Sequence, residues 1–245
     1  MTLLLLLSHS SHIPGFVSFD RVKLCLIFQV DSRQGLIRAR IIGGNAARGE
    51  YLAFIDAHVR VAPDWLYTPL KLLQENPNRL VNFVNLSLDP KTFEPMNSWK
   101  GMGSTATVSI SLVQHWGGGS PTEDTSPITY GMFATSQRWW SKGMMDPGLE
   151  VWGGENVEIS FRTWLCGGDI VVAKDSFVAH RFRSKFPYKL SERQVLRNYA
   201  RVAAVWMDSK HRSLFYKTNG IHIKKGKLPF DIGNITGIVS PMNAL

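Results

Sequence analysis

Cysteine is nearly missing from this chain: 245 residues carry only Cys25 and Cys166. Two thiols make no disulfide framework, so an apolar core has to hold the fold. The two could bond to each other, but nothing in the sequence requires it. Long hydrophobic runs are missing as well. Leu3 to Leu7 falls far short of the ~20 residues that span a bilayer. It also has no basic flank before it and no small-residue cleavage site close after it, so it makes a poor signal peptide. Val22–Val30 is apolar again but is interrupted by Lys23. Basic clusters interleaved with aromatics are absent apart from the short Lys224-Lys225-Gly226-Lys227. Nucleic acid is therefore a poor partner despite a net charge of +9 and a pI near 9.7.

What is present describes a globular domain. Hydrophobic residues make up 44% of the chain and charged residues 19%, enough for a core and too apolar for a disordered tail. The length suits one sizeable domain. The basic excess fits a phosphorylated ligand at least as well as any other anion. Two N-glycosylation sequons, Asn85-Leu86-Ser87 and Asn234-Ile235-Thr236, lend weak support to a secretory lumen.

The chain is organised around residues 148–168. Trp152 precedes a glycine pair, Gly153-Gly154, and then Glu155 and Asn156. Adjacent glycines beside a large aromatic trade stability for backbone freedom, as a substrate lid would. Val157, Ile159, Phe161, Trp164 and Leu165 can line the apolar face of a following helix, with Glu158 and Arg162 paired at i,i+4 on its surface. Gly167-Gly168 ends that helix, and Asp169 to Ala173 reads as a buried strand.

The run Trp-Gly-Gly-Glu-Asn-x-Glu-Ile-Ser-Phe-Arg-x-Trp-x-Cys-Gly-Gly closely resembles the polypeptide N-acetylgalactosaminyltransferases. More than a dozen matched positions over about twenty residues is a far stronger signal than a lone glycine-rich motif. Similarity runs from Asp31 to Tyr216, and it implies an α/β fold of the GT-A type, a Rossmann-like sheet with helices. It also implies transfer of GalNAc from UDP-GalNAc to Ser or Thr, with retention of configuration and dependence on Mn2+.

Read in order, residues 1–30 match nothing in that family. The family's membrane anchor, uridine-binding strands and C-terminal lectin domain are not visible, so the expected fold is partial: a catalytic portion over 31–217 and a basic tail over 218–245. Leu36 to Arg48 reads as a helix closing at Gly49, and Arg33 matches a donor-contacting Arg of the family. Tyr51 to Ile55 reads as a strand with Asp56 and His58 at its end. Spaced two apart, these project to one side of an extended backbone, where a carboxylate and an imidazole can hold a divalent ion. They match the family's Asp-x-His metal motif, with Ala57 in place of the usual Ser. Pro63 to Tyr67 opens a helix that offers Leu66, Leu70, Leu72 and Leu73 to the core. Leu80 to Leu88 reads as a strand, and Val108 to Val113 alternates like one.

Ser126 to Ala134 resembles the family's sugar-pocket segment, with Gly131 and Phe133 matching. Tyr130 stands where the family has a second Gly; it could narrow the pocket or pack in the core. His180, before Phe182-Arg183 and Pro187-Tyr188, matches the third metal ligand, and Arg183 and Tyr188 match UDP-binding positions. Leu190 to Lys217 reads as helical, with Ser191 as its cap. The resemblance thus implies metal binding by Asp56, His58 and His180. It implies donor binding by Arg33, Gly131, Arg183 and Tyr188, and catalytic roles for Trp152, Glu155 and Asn156. The expected partners are UDP-GalNAc and a Ser/Thr polypeptide on the lumenal side of the Golgi, with no nucleic acid and no evident anchor. The alternative is an inactive relative that keeps sugar or metal binding.

Overall fold

The computed structural model describes residues 31–32, 34–96, 106–116, 125–143, 145–182, 188–236 and 238. Its frame is a mixed five-stranded sheet in the order β1-β6-β3-β7-β2. The strands are β1 (Tyr51–Phe54), β2 (Val59–Val61), β3 (Arg79–Ser87), β6 (Phe133–Ser136) and β7 (Asp169–His180). Only β3 and β7 pair in parallel; β6 runs against both β1 and β3, and β2 runs against β7. It follows that β1, β3 and β7 point the same way and end on one rim, at Phe54, Ser87 and His180.

Alternating side chains divide the core between the two faces. Val81 and Phe83 of β3 pack with Leu70 and Leu73 of α2 (Tyr67–Glu75), whereas Val84 and Leu86 face Val157 of α4 (Glu155–Leu165) and Val202 of α5 (Glu192–Trp206). In β7 the ladder jumps from Phe83↔Ala173 to Val84↔Phe177, so residues 174–176 loop out. The loop-out is pinned by the Ser176 hydroxyl, which donates to the Trp65 carbonyl. Beyond it Val178 packs with Val81 and Phe83, and Ala179 with Val84 and Leu86.

The helix expected from Leu36 is α1 (Gly35–Ala46), and the one after Pro63 is α2. Three expectations differ. The alternating run 108–113 is no strand: β4 (Ala106–Val108) and β5 (Gln114–Trp116) form a hairpin, and Ser109 accepts from Leu112 while donating to Val113 across its turn. Leu112 takes φ 60°, a backbone state alternation alone does not reveal. The long helix from Leu190 is two helices, α5 and α6 (Ser209–Thr218), broken where the Asp208 carboxylate caps α6 by accepting from the His211 amide. Ser191 precedes α5 but makes no side-chain cap bond. A four-residue helix, α3 (Gln137–Trp140), follows β6 and buries Trp139 and Trp140.

Past α6 the chain lies back over the helices. Ile221 joins the core, and Leu228, Phe230 and Ile232 pack against it. Arg193, Arg197 and Arg201, at successive turns of α5, donate to the carbonyls of Pro229, Asp231 and Ile232. Cys166 is a free thiol, and Cys25 lies outside the described residues. Among the described residues no helix is long and apolar enough to cross a membrane.

Candidate functional site

The common rim of β1, β3 and β7 gathers the three residues that sequence pairs with a metal. Asp56 and His58 sit not in an extended strand but in the turn between β1 and β2, and His180 ends β7 opposite Val59. The Asp56, His58 and His180 ligand atoms all lie within 4.8 Å of one another. His180 Nε2 stands 3.2 Å from Asp56 Oδ2, and the two imidazole rings are 4.4 Å apart. In open α/β sheets ligands bind beyond the carboxyl ends of such strands. One carboxylate and two imidazoles form a donor set that suits a divalent transition ion.

Arg40 completes this centre from behind. It is buried on α1, in helical phase with Ile37 and Gly44, and its Nη2 donates to Asp56 Oδ1 at 3.2 Å. Burial alone would raise the Asp56 carboxyl. The hydrogen bond from His180 and the charges of Arg40, His180 and His58 outweigh it and hold the group down at about 2. Glu155 opens α4 and is only 4% exposed. Burial pushes its carboxyl up, while the charge of Arg40 and the backbone amides of Glu155 and Gly153 work against that rise. The Tyr199 phenol is pushed up to about 12, by burial first and then by the charge of Glu155. Arg40 Nη1, Glu155 Oε2 and His180 Nδ1 are buried with no hydrogen-bond partner among the described residues. Buried polar atoms are seldom left in that state, and a polar ligand would use them.

The Gly153-Gly154 turn leads into the same centre. Both glycines have positive φ, 94° and 87°, which lets the chain reverse sharply into the N-terminus of α4. Asn198 of α5 fastens the turn: its Nδ2 donates to the carbonyls of Glu150, Trp152 and Gly153, and its Oδ1 accepts from the Glu150 amide. The backbone expected to swing as a lid is thus tied to a helix. On the other side of α4, Asn156 Nδ2 donates to Gln114 Oε1 of β5 at 3.0 Å. A β-carbon added at Gly131 would lie 3.3 Å from that amide.

Residues 19–122 match glycosyl transferase family 2. Polypeptide N-acetylgalactosaminyltransferase 12 of Mus musculus is 37% identical over 205 residues, covering 79% of this chain and 35% of that protein. The Homo sapiens enzyme numbered 6 is 34% identical over 216 residues, covering 81% and 34%. A crystal structure of GalNAc-T7 with UDP, GalNAc and Mn2+ superposes with a TM-score of 0.76 at 27% identity, covering 89% of this chain and 42% of that one. The chain belongs to the polypeptide N-acetylgalactosaminyltransferase family. It spans about a third of the length of the curated relatives it matches. The GT-A fold is therefore shared, and within it the sheet rim of this polypeptide N-acetylgalactosaminyltransferase relative is the candidate site.

The structure places most of the residues singled out in sequence. Asp56, His58 and His180 converge, Glu155 lies close enough to Arg40 and Asp56 to feel both charges, and Gly131 meets Asn156. Trp152 is half-buried beside the glycine turn, and Tyr188 is half-buried beyond the end of β7. Arg33 and Arg183 lie outside the described residues. Tyr130 is a core residue, 5% exposed, and burial raises its phenol. Its backbone amide is fixed by Asn82 Oδ1, which also accepts from Thr129.

Glu158 and Arg162 do not form a surface pair. Both are buried and ion-paired, and Glu158 Oε2 accepts from the Asp146 amide. Trp164 and Leu165, expected on the apolar face of α4, are exposed instead. The reason is that the inward face of α4 meets a second ion pair, Asp146 with Arg201 at 2.7 and 2.9 Å, and must match it with charge. Sequence reading missed Arg40, Asn198, Asn82 and Gln114. Only Arg40 carried a usable signal, its i,i+3 spacing from Ile37.

Proposed function

We propose that this chain carries the metal-binding and acceptor-side portion of a transferase that moves GalNAc from UDP-GalNAc to a Ser or Thr hydroxyl of a polypeptide. The observation that supports this reading above all is the meeting of Asp56, His58 and His180 at one strand rim beside Glu155. We assign residues 31–217 to this catalytic portion, with 1–30 and 218–245 outside it. GalNAc-T7 was crystallised with UDP, GalNAc and Mn2+. The donor set here fits the same kind of ion, and a divalent cation held by Asp56, His58 and His180 supplies positive charge to a diphosphate.

The chain's own residues then position the reactants. Arg40 keeps Asp56 ionised and oriented. Glu155, buried at a helix N-terminus, and Asn156, braced by Gln114, orient the sugar and the acceptor. Gly131 leaves room beside Asn156 for the sugar, and Trp152 covers it. Arg33, Arg183 and Tyr188 hold the UDP moiety by charge-assisted and hydroxyl hydrogen bonds. The acceptor oxygen bonds to the anomeric carbon on the face from which the diphosphate leaves. UDP departs with the electron pair, and one of its oxygens takes the hydroxyl proton. Initiation of mucin-type O-glycosylation on the lumenal side of the Golgi is the setting in which this chemistry belongs.

The test is calorimetric titration of the chain with UDP, with and without Mn2+. Metal-dependent micromolar binding is expected, and GalNAc transfer to a Ser/Thr peptide should follow. Metal binding without UDP binding would reassign the chain as an inactive relative.

A further inference from the structure

The two sequons occupy opposite surroundings. Asn85 stands inside the ladder of β3, paired with Val178 of β7, and its Oδ1 is shielded from solvent. Asn85 is only half-exposed and its backbone is held in the ladder, so presenting it on an extended loop would require the ladder to open. Asn234 is exposed, as is Thr236, and Ile235 between them is 37% exposed. Asn234 Oδ1 accepts from the Thr236 amide at 2.8 Å. That bond spends the side-chain oxygen and leaves the amide nitrogen uncommitted among the described residues.

The segment leading to Asn234 is held in place. Arg197 Nε donates to the Asp231 carbonyl at 3.1 Å and Arg201 Nη1 to the Ile232 carbonyl at 2.7 Å. Asp231 Oδ1 accepts from the Gly233 amide at 2.7 Å, and Gly233 turns the chain with φ 75°. A β-carbon at Gly233 would sit 3.2 Å from Arg201 Nη1, so this side of the turn is filled by α5. The loop is thus anchored to α5 through the carbonyls of Asp231 and Ile232, and the exposed sequon follows that anchor.

We propose that Asn234 is an N-glycan acceptor site and that Asn85 is not. An Asn-x-Thr triplet on an accessible loop is the acceptor the reaction needs. Asn234 Nδ2 forms a bond to the anomeric carbon of an oligosaccharide carried on a lipid diphosphate. The bond from that carbon to the diphosphate oxygen breaks, the lipid diphosphate leaves with the electron pair, and the amide loses one proton. Modification in cells rests on the lumenal setting proposed for the transferase; the acceptor geometry does not.

The experiment incubates the purified folded chain with oligosaccharyltransferase and a lipid-diphosphate oligosaccharide, and maps occupancy by glycopeptide mass spectrometry. Asn234 should be modified and Asn85 left bare. Asn234→Gln and Thr236→Ala should each abolish the modification, while Asn85→Gln leaves it unchanged. An unmodified Asn234 in the intact chain, or a glycan that persists in Asn234→Gln, overturns the proposal. The same mapping on chain recovered from secretory cells separates the two readings. A chain modified in vitro but bare from those cells would sink the lumenal setting and leave the acceptor site standing.

Discussion

The side-chain amide of Asn198 donates to the main-chain oxygen of Gly153 at 3.0 Å, which ties the glycine turn in front of α4 to the middle of α5. The same side chain holds Glu150 and Trp152, so one residue fixes the path by which Trp152 and Glu155 reach the sheet rim. Asn198→Ala removes the donor to the Trp152 and Gly153 carbonyls and the acceptor of the Glu150 amide, while the Glu150 carbonyl keeps Gln194. It should cost about 1–3 kcal/mol in urea denaturation, the usual penalty for a stranded buried polar group. Amide exchange should quicken over residues 150–154 more than elsewhere. Unchanged exchange there would contradict the fastening role.

Gly131 takes φ 90° with the Asn156 amide close against its missing side chain. Gly131→Ala therefore combines a left-handed backbone with a contact tighter than van der Waals. About 1–2 kcal/mol of destabilisation is expected from the backbone alone. Binding of UDP-GalNAc should fall further than binding of UDP, because the displaced group is the one assigned to the sugar. Calorimetry with both ligands checks this, and an equal loss for the two would remove Gly131 and Asn156 from the sugar pocket.

Asp146 and Arg201 form a buried pair in which Asp146 also accepts from the Gly148 amide and Arg201 also donates to the Ile232 carbonyl. Asp146→Ala strands a buried guanidinium and should destabilise by about 3–5 kcal/mol in equilibrium unfolding. Combining it with Arg201→Met should restore much of that loss. If the double variant is as unstable as the sum of the single ones, the two residues do not act as a pair.

The Asp56 carboxyl, held at about 2 by His180, Arg40 and His58 against its burial, lies below its unfolded value. A depressed carboxyl contributes stability that is complete above the unfolded value of about 3.9 and is lost as pH falls through the folded one. Wild-type stability without metal should therefore drop between about pH 4 and pH 2, by on the order of 1–2 kcal/mol more than in Asp56→Asn. A carboxyl chemical-shift titration of Asp56 gives the direct check; a midpoint near 4 would break the link to Arg40 and His180.

How far the sequence carried depends on where each interaction comes from. Helices α1, α2 and α4 and strands β1 and β3 were legible because their apolar periodicity is local. The convergence of Asp56, His58 and His180 was legible through the motif, although the turn holding Asp56 and His58 was not. The burial of Glu158 and Arg162 could not be read, since it is decided by a second buried pair, Asp146 with Arg201, distant in sequence. The loop-out at 174–176 defeats counting by twos, which would put Val178 on the face of Val172 when it packs instead with Val81. The tie on the Gly153-Gly154 turn was hidden for a similar reason: its fastener, Asn198, lies some forty-five residues downstream.

The guanidiniums of Arg193, Arg197 and Arg201 leave a mark beyond folding. The segment over Pro229 to Ile232 belongs to no sheet, and a stretch of open carbonyls is a template on which another chain can add a strand. Here three helix-borne side chains have already claimed those acceptors. A neighbouring molecule meeting this surface finds those three carbonyls taken, which makes Pro229 to Ile232 a poorer template for edge-to-edge association.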